Sequence, residues 1–307
     1  MYDVLVIGGG PAAMTAAVYA ARKMLKLALL TKDFGGQVMD TSDIENYMGF
    51  QTITGEELAK KFQEQIRHFE VPFRKDDGVL SVTQDGDLFL VRTENDVVFR
   101  GKTVILATGK RSRPLNVPGE REFTGKGVAY CATCDAPFYA GKDVVVAGGA
   151  NSALTAAMDL LKAQATHVTL VNFIEGWQAD EVLMASVRDD QRLNLLDFHE
   201  VVRIEGKDRV EAVRVRNRKT GEETVIRTNG IFVEIGLLPN SEPVAELAQV
   251  NDVREVLVDC HCATNVPGLF AAGDVTTVPY KQIVISAGEG AKAALAAYDY
   301  LAQKGNL

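Results

Sequence analysis

The chain has little cysteine, little tryptophan and no excess of positive charge. Its 307 residues include 4 Cys and 1 Trp, with 33 Lys+Arg against 41 Asp+Glu. Four cysteines are too few for a small scaffold held by disulfides. A formal net charge of -8 and a pI near 5.2 exclude the broadly basic surface that a nucleic-acid partner calls for. No apolar run is long enough to cross a bilayer. Met1-Tyr2-Asp3 leads straight into Val4-Leu5-Val6-Ile7, which leaves no room for a signal peptide. These absences point to a cytoplasmic protein without a membrane or nucleic-acid partner. The 47% hydrophobic and 24% charged content suits well-packed cores, and the length suits two domains.

What is present repeats one device. Residues 4–13 read VLVIGGGPAA: a buried strand, then Gly8, Gly10 and Ala13 in the G-x-G-x-x-A pattern, then a small-residue helix from Ala12 to Arg22. Residues 144–153 read VVVAGGANSA, followed by a helix from Ser152 to Leu161. Each loop puts a helix N-terminus and free backbone N–H groups where a pyrophosphate can dock. One such loop is a weak signal; two, each between a strand and a helix, are strong. An amphipathic helix is expected from Glu56 to Phe69, and another helix from Ile283 to Leu301. Pro114 and Pro118 mark a crossing into a second domain, and Pro239 and Pro243 mark the return.

The expected fold is therefore α/β, with two Rossmann-like three-layer nucleotide-binding domains, the second inserted into the first. The expected boundaries are 1–113 with 243–307 for the discontinuous first domain, and 114–242 for the second.

Cys131-Ala132-Thr133-Cys134-Asp135 lies just before the second loop. A Cys-x-x-Cys pair can cycle between dithiol and disulfide, and an acid directly after it can move the accompanying proton. The competing reading is half a zinc site completed by Cys260-His261-Cys262. On a strand, Cys260 and Cys262 would share a face and His261 would point away, a poor tetrahedral set. No metal site is expected. Arg214, Arg216, Arg218 and Lys219 read as a solvated strand face before a turn at Gly221. Trp177 reads equally as a packing residue or a stacking platform near the second loop.

The stretches FGGQVMDTSDIENY (34–47), CATCDAPFY (131–139), GIFVEIGLLPN (230–240) and GDVTTVPYKQIVISAGEGAKAAL (273–295) carry a resemblance that runs the length of the chain. It resembles the low-molecular-weight thioredoxin reductase family. Within that family it is most similar to the reductase portion of the alkyl hydroperoxide reductase flavoprotein subunit. That subunit has an additional N-terminal thioredoxin-like segment, so the expectation is a free-standing reductase whose disulfide substrate is a separate protein. The resemblance implies a homodimer, with FAD in the first domain. It assigns Gly8, Gly10, Pro11 and Ala13 to the pyrophosphate. Gly35, Gly36, Gln37, Asn46, Gly109, Gly273, Asp274, Lys281, Gln282 and Ile283 are assigned to the remainder of FAD. The N-terminus of the last helix would stabilise negative charge on the flavin. A ribose-binding acid has no clear place: Thr31 stands at the usual position, with Asp33 just beyond it.

By the same resemblance Cys134 faces the flavin, Cys131 attacks the partner protein, and Asp135 is the general acid. Family members have glycine after this acid; here Ala136 follows, which suggests a re-aimed turn. The second loop assigns Gly148, Ala150, Asn151, Ser152 and Asn172 to the nucleotide. Two departures bear on the electron donor. Ala150 replaces a glycine where backbone should approach the pyrophosphate. The run Asn172-Phe173-Ile174-Glu175 lacks the arginines that NADPH-using members place there. NADH is therefore favoured over NADPH, and a ferredoxin-type protein donor is the alternative. A thioredoxin- or glutaredoxin-like protein is the expected electron acceptor, and the paired linkers would act as a hinge between domains. Rival classes are an NADH oxidase and a non-enzymatic nucleotide-sensing or zinc-binding module.

Overall fold

The structure is a computed structural model that describes residues 1–40 and 43–305. The chain divides into two compact units. One comprises Met1–Met39, Tyr47–Arg111 and Leu238–Leu307; the other comprises Asp40–Asn46 and Ser112–Leu237.

The first unit is built on a seven-stranded sheet. Strand β1 (Tyr2–Ile7) lies between β2 (Leu27–Leu30) and the long strand Val98–Leu106, parallel to both. Phe73–Arg74 (β3) extends the parallel layer beyond β2. Val79–Asp85 (β4) and Leu88–Thr93 (β5) form an antiparallel hairpin that pairs with the first half of Val98–Leu106 (β6). The second half of β6 pairs in parallel with the strand Leu269–Ala271. Val4, Leu5, Val6 and Ile7 are buried, as expected for a parallel strand covered on both faces, where the apolar run is continuous rather than alternating.

Helix α1 (Pro11–Arg22) starts on a proline, whose missing N–H costs nothing at that position. Its alanines let it pack tightly against the closing helix Ile283–Gln303. A Cβ added at Gly290 of that helix would collide with the backbone of Ala12. Helix α2 (Gly55–His68) begins with a capping box. The Glu57 N–H donates to Thr54 Oγ1 and the Thr54 N–H donates to Glu57 Oε2, both at 3.2 Å.

The second unit repeats the plan. Its five-stranded parallel sheet has the spatial order β7 (Val128–Ala129), β14 (Gly230–Val233), β8 (Asp143–Ala147), β9 (His167–Val171), β10 (Leu193–Leu196). Helix α3 (Ala132–Asp135) precedes β8, α4 (Asn151–Lys162) follows it, and α5 (Glu181–Val187) follows β9. Three antiparallel strands, β11 (His199–Gly206), β12 (Val210–Asn217) and β13 (Glu223–Arg227), form a separate sheet. The fold is α/β with two Rossmann-like units, the second interrupting the first. No helix among the described residues is long and apolar enough to cross a membrane.

Candidate active site

The first loop joins β1 to α1. Gly8 has φ 125° and faces the Ala107 carbonyl, so a side chain there meets both strain and a clash. Gly9 lies against Thr31 and the Asp33 carbonyl, and its own carbonyl accepts the Gly35 N–H at 2.8 Å. Thr31 is buried and its hydroxyl donates to the Asp33 carbonyl. Gly10 is different: nothing lies within 4 Å of where its Cβ would be. It is the N-cap of α1, in extended conformation, with no side-chain cap and no acidic residue in the first turn. That leaves helix-end N–H groups facing open space, which fits a phosphate. Pro11 and Ala13 continue this turn. Gly35 and Gly36 are both left-handed and lead into Gln37.

The segments after β6 and before the closing helix supply most of the remaining predicted residues. Gly273 has φ 75° and sits on the Ala12 methyl, where an added Cβ would approach to 3.0 Å. Asp274 accepts the Ser286 hydroxyl at 2.9 Å, and burial pushes its carboxyl above the ordinary range. Lys281 donates to the carbonyls of Thr276 and Val278 and lies 3.4 Å from Glu255. Burial and the neighbouring Lys110 draw its pKa down. Gln282 caps the closing helix and Ile283 is its first residue. Gly109, with φ 66°, follows β6. Asn46 is exposed and belongs to the short segment that packs with the second unit.

The second loop copies the first at two positions and departs at the third. Gly148 has φ 147° and abuts the Glu234 carbonyl as Gly8 abuts Ala107; Gly149 lies against Asn172 as Gly9 lies against Thr31. Ala150 takes the N-cap of α4 in nearly the conformation of Gly10, with φ -103° and ψ -175° against -84° and -176°. Its methyl projects where Gly10 leaves space. Asn151 is paired with Asp180: Nδ2 donates to Oδ2 at 2.9 Å, and Asn151 Oδ1 accepts the Asp180 N–H at 2.8 Å. The Ser152 hydroxyl donates to the Glu234 carbonyl oxygen at 3.4 Å.

Asn172 is buried and organises the segment after β9. Its Nδ2 donates to the carbonyls of Ile174 and Gly176, at 2.7 and 2.8 Å, and to Asp197 Oδ1 at 3.1 Å. The side chain is thus engaged in holding its own loop.

Cys131 and Cys134 form a disulfide with a Cα–Cα distance of 5.3 Å. Cys131 is the N-cap of α3, and its carbonyl accepts the Cys134 and Asp135 N–H groups at 3.3 and 3.1 Å. Asp135 is buried one residue past the pair. Ala136 is αR, with φ -52° and ψ -39°, a conformation open to any residue, so alanine is accommodated here without backbone strain. Burial, together with the negative charge of Asp135, pushes the Tyr139 phenol up to about 12.

Sequence reasoning missed Glu234. It follows β14, roughly a hundred residues after the cysteines, and its backbone carbonyl accepts the Ser152 hydroxyl and lies against Gly148 of the second loop. Burial raises it to about 7. A polar residue at the carboxyl end of a predicted parallel strand was the available signal.

Two other readings change. Cys260 and Cys262 lie in a turn, not on a strand. Asp259 Oδ1 accepts the N–H groups of His261 and Ala263 at 2.8 and 2.9 Å, and Cys262 has φ 64°. Cys262 is buried with its thiol 3.0 Å from Glu289, while Cys260 is exposed. Arg214 and Arg216 pair with Glu205 and Glu200 across the strands, but Arg218 is stacked on Phe173 and Phe198. Trp177 packs against the core of the second unit.

Comparison with known proteins agrees with this geometry. The family model for pyridine nucleotide-disulphide oxidoreductases matches residues 2–294. An NADH dehydrogenase of Bacillus subtilis is 44% identical over 300 residues, 98% of this chain and 58% of that protein. The F subunit of an alkyl hydroperoxide reductase of Pseudomonas putida is 44% identical over 303 residues, again 98% of this chain and 58% of that protein. The chain therefore spans little more than half the length of these relatives. The crystal structure of a thioredoxin reductase from Streptococcus pyogenes superposes with a TM-score of 0.93 at 38% identity, covering 99% of both chains. The chain belongs to the pyridine nucleotide-disulphide oxidoreductase family and shares the fold of a thioredoxin reductase.

Proposed function

We propose that the chain is a flavin-dependent disulfide reductase. It takes electrons from a reduced pyridine nucleotide, NADH before NADPH, and passes them through Cys131–Cys134 to a thioredoxin- or glutaredoxin-like protein. The observation that carries this reading is the Cys131–Cys134 disulfide, with buried Asp135 beside it, in a unit that repeats the nucleotide loop of the first. In this reading 1–113 with 243–307 form the FAD domain and 114–242 the domain of the nucleotide and the redox pair.

FAD fits the first unit. Gly8, Gly10, Pro11 and Ala13 would hold its pyrophosphate over the uncapped end of α1. Gly35, Gly36, Gln37, Asn46, Gly109, Gly273, Asp274, Lys281, Gln282 and Ile283 would line the remainder. Asp274 is suited to a hydroxyl because burial disfavours its charge and leaves its carboxyl as a hydrogen-bonding group. When bound, FAD supplies the exchange between a two-electron hydride donor and a dithiol. Cys131 would attack the partner disulfide, Cys134 would resolve the mixed disulfide, and Asp135 would protonate the departing thiolate.

Preference for NADH is supported by the absence of arginine from 172–176 and by relatives named NADH dehydrogenase. In this role Gly148, Ala150, Asn151 and Ser152 lie under the nucleotide, and Asn172 shapes the loop beside its ribose. One observation favours a second reading, a ferredoxin-type protein donor. The Ala150 methyl and the Asn151–Asp180 pair fill the end of α4 where a pyrophosphate would rest.

The test is Cys134→Ser. The variant should still accept electrons from the nucleotide at the flavin, while reduction of a thioredoxin falls by a factor of about 1,000 or more. Retained thioredoxin reduction would remove the dithiol from the pathway. Turnover on dioxygen that exceeds turnover on thioredoxin in the unaltered protein would favour the oxidase.

A further inference from the structure

The segment after β9 exposes apolar surface beside the second nucleotide loop. Phe173 is 50% exposed and Ile174 is 54% exposed, yet the backbone that carries them is tightly held. Asn172 Nδ2 donates to the carbonyls of Ile174 and Gly176. The Gly176 N–H donates to the two carboxylate oxygens of Asp197, at 3.1 and 3.0 Å. The Gln178 N–H then donates to the Gly149 carbonyl at 2.9 Å, which returns the segment to the glycine loop.

Arg218 reaches this segment from the turn past β12. Its guanidinium carbon lies 3.7 Å from the centroid of the Phe173 ring and 4.8 Å from that of Phe198. Its Nη1 donates to the Phe173 carbonyl at 2.9 Å, and its backbone N–H donates to the Phe198 carbonyl at 2.9 Å. Phe198 has φ 57°, a left-handed conformation that is costly for a bulky side chain. Asp197 secures it there, accepting the Phe198 N–H at 3.0 Å. Two rings and a guanidinium are thus fixed together at the surface. The guanidinium covers one face of the Phe173 ring, so the exposed half of that side chain is the opposite face and the edge.

In a doubly wound α/β unit a dinucleotide lies across the carboxyl ends of the strands, and the residue ending the second strand stands beside the adenosine ribose. Here the second strand is β9, and Asn172 follows it, against Gly149. Phe173 is one residue further from the loop, on the side toward which the base of that adenosine would extend. We propose that Phe173, backed by Arg218, is a stacking platform for the adenine ring of a nucleotide bound in the second unit. The inference rests on the reading that this unit takes a nucleotide, and it names the part recognised: a neutral planar base, held by its π face.

The platform complements the other end of the site. The Ala150 methyl narrows the α4 terminus where a pyrophosphate would rest, and a rigid aromatic surface supplies affinity that the narrowed end gives up. Stacking on a ring needs no charge on the ligand, so it serves NADH and NADPH alike. Arginine suits the backing position because its guanidinium is planar and stacks while it donates to a carbonyl; an ammonium cannot do both.

The experiment is calorimetric titration of oxidised, flavin-loaded protein with ADP-ribose, which carries the adenosine of NADH without its nicotinamide. Phe173→Ala should weaken binding by about tenfold or more. Arg218→Ala and Arg218→Lys should each weaken it by about threefold, because lysine restores the charge but not the plane. Unchanged affinity in Phe173→Ala, or no binding of ADP-ribose to the unaltered protein, would overturn the proposal. Full rescue by Arg218→Lys would also overturn it, by making Arg218 a charge contact.

Saturation-transfer NMR of AMP with the unaltered protein gives a second readout that needs no variant to fold. The adenine ring protons should receive more saturation than the ribose protons; the reverse order would overturn the proposal. Binding of ADP-ribose that depends on Phe173, in a protein whose flavin neither NADH nor NADPH bleaches, would uphold the platform while the proposed electron route fails. Bleaching by NADH with unchanged ADP-ribose affinity in Phe173→Ala would uphold the route and overturn the platform.

Discussion

The two glycine loops have nearly the same backbone and different capacity. In both, the first glycine is left-handed and lies against the end of a neighbouring parallel strand, Ala107 in one and Glu234 in the other. In both, the second glycine abuts the residue directly after the next strand, Thr31 in one and Asn172 in the other. The difference is at the third position. Gly10 opens onto space, and α1 begins with no cap and no acid. Ala150 projects a methyl, and Asn151 is paired with Asp180. One device thus has two states: a bare cradle and a partly furnished one. A tightly held cofactor needs the first, whereas a nucleotide that arrives and leaves each cycle can tolerate the second.

Filling the open loop should have the largest effect. Gly10→Val places two methyl groups over the end of α1, and FAD affinity should fall about 100-fold, or about 3 kcal/mol. Flavin content after dialysis and a fluorescence titration would check this. Unchanged flavin retention would mean the cofactor does not cross this turn. Opening the filled loop should act in the opposite direction and less strongly. Ala150→Gly should lower the KM for NADH by about fivefold, with kcat little changed, since it relieves one steric conflict shared by bound substrate and transition state. An unchanged or raised KM would separate the α4 terminus from nucleotide binding and strengthen the protein-donor reading.

The strands and helices were legible because their signals are local. The predicted helix Ala12–Arg22 appears as Pro11–Arg22, and Ile283–Leu301 appears as Ile283–Gln303. Both follow from a proline or an extended cap at one end and small or apolar residues along the packed face. The two loops were legible for the same reason. What escaped the sequence was pairing across distance. Asp180 reaches Asn151 from 29 residues away, and only the turn after β9 brings it there. Glu234 reaches Gly148 and Ser152 because β14 pairs with β8 in the sheet. Arg218 looked like one more charge on a strand face, yet it lies in the turn just past β12, beside two aromatic rings. Cys260 and Cys262 alternate as if on a strand; the Asp259 side chain, by accepting two backbone N–H groups, makes the segment a turn instead.

The central claim is that the partly furnished loop still admits a pyridine nucleotide. Anaerobic titration of the flavin-loaded protein with NADH and, separately, NADPH tests it most directly, with the flavin absorbance as the readout. The account predicts rapid bleaching by NADH and weak bleaching by NADPH. No bleaching by either nucleotide, in protein that dithionite does reduce, would contradict it and assign electron entry to a protein donor.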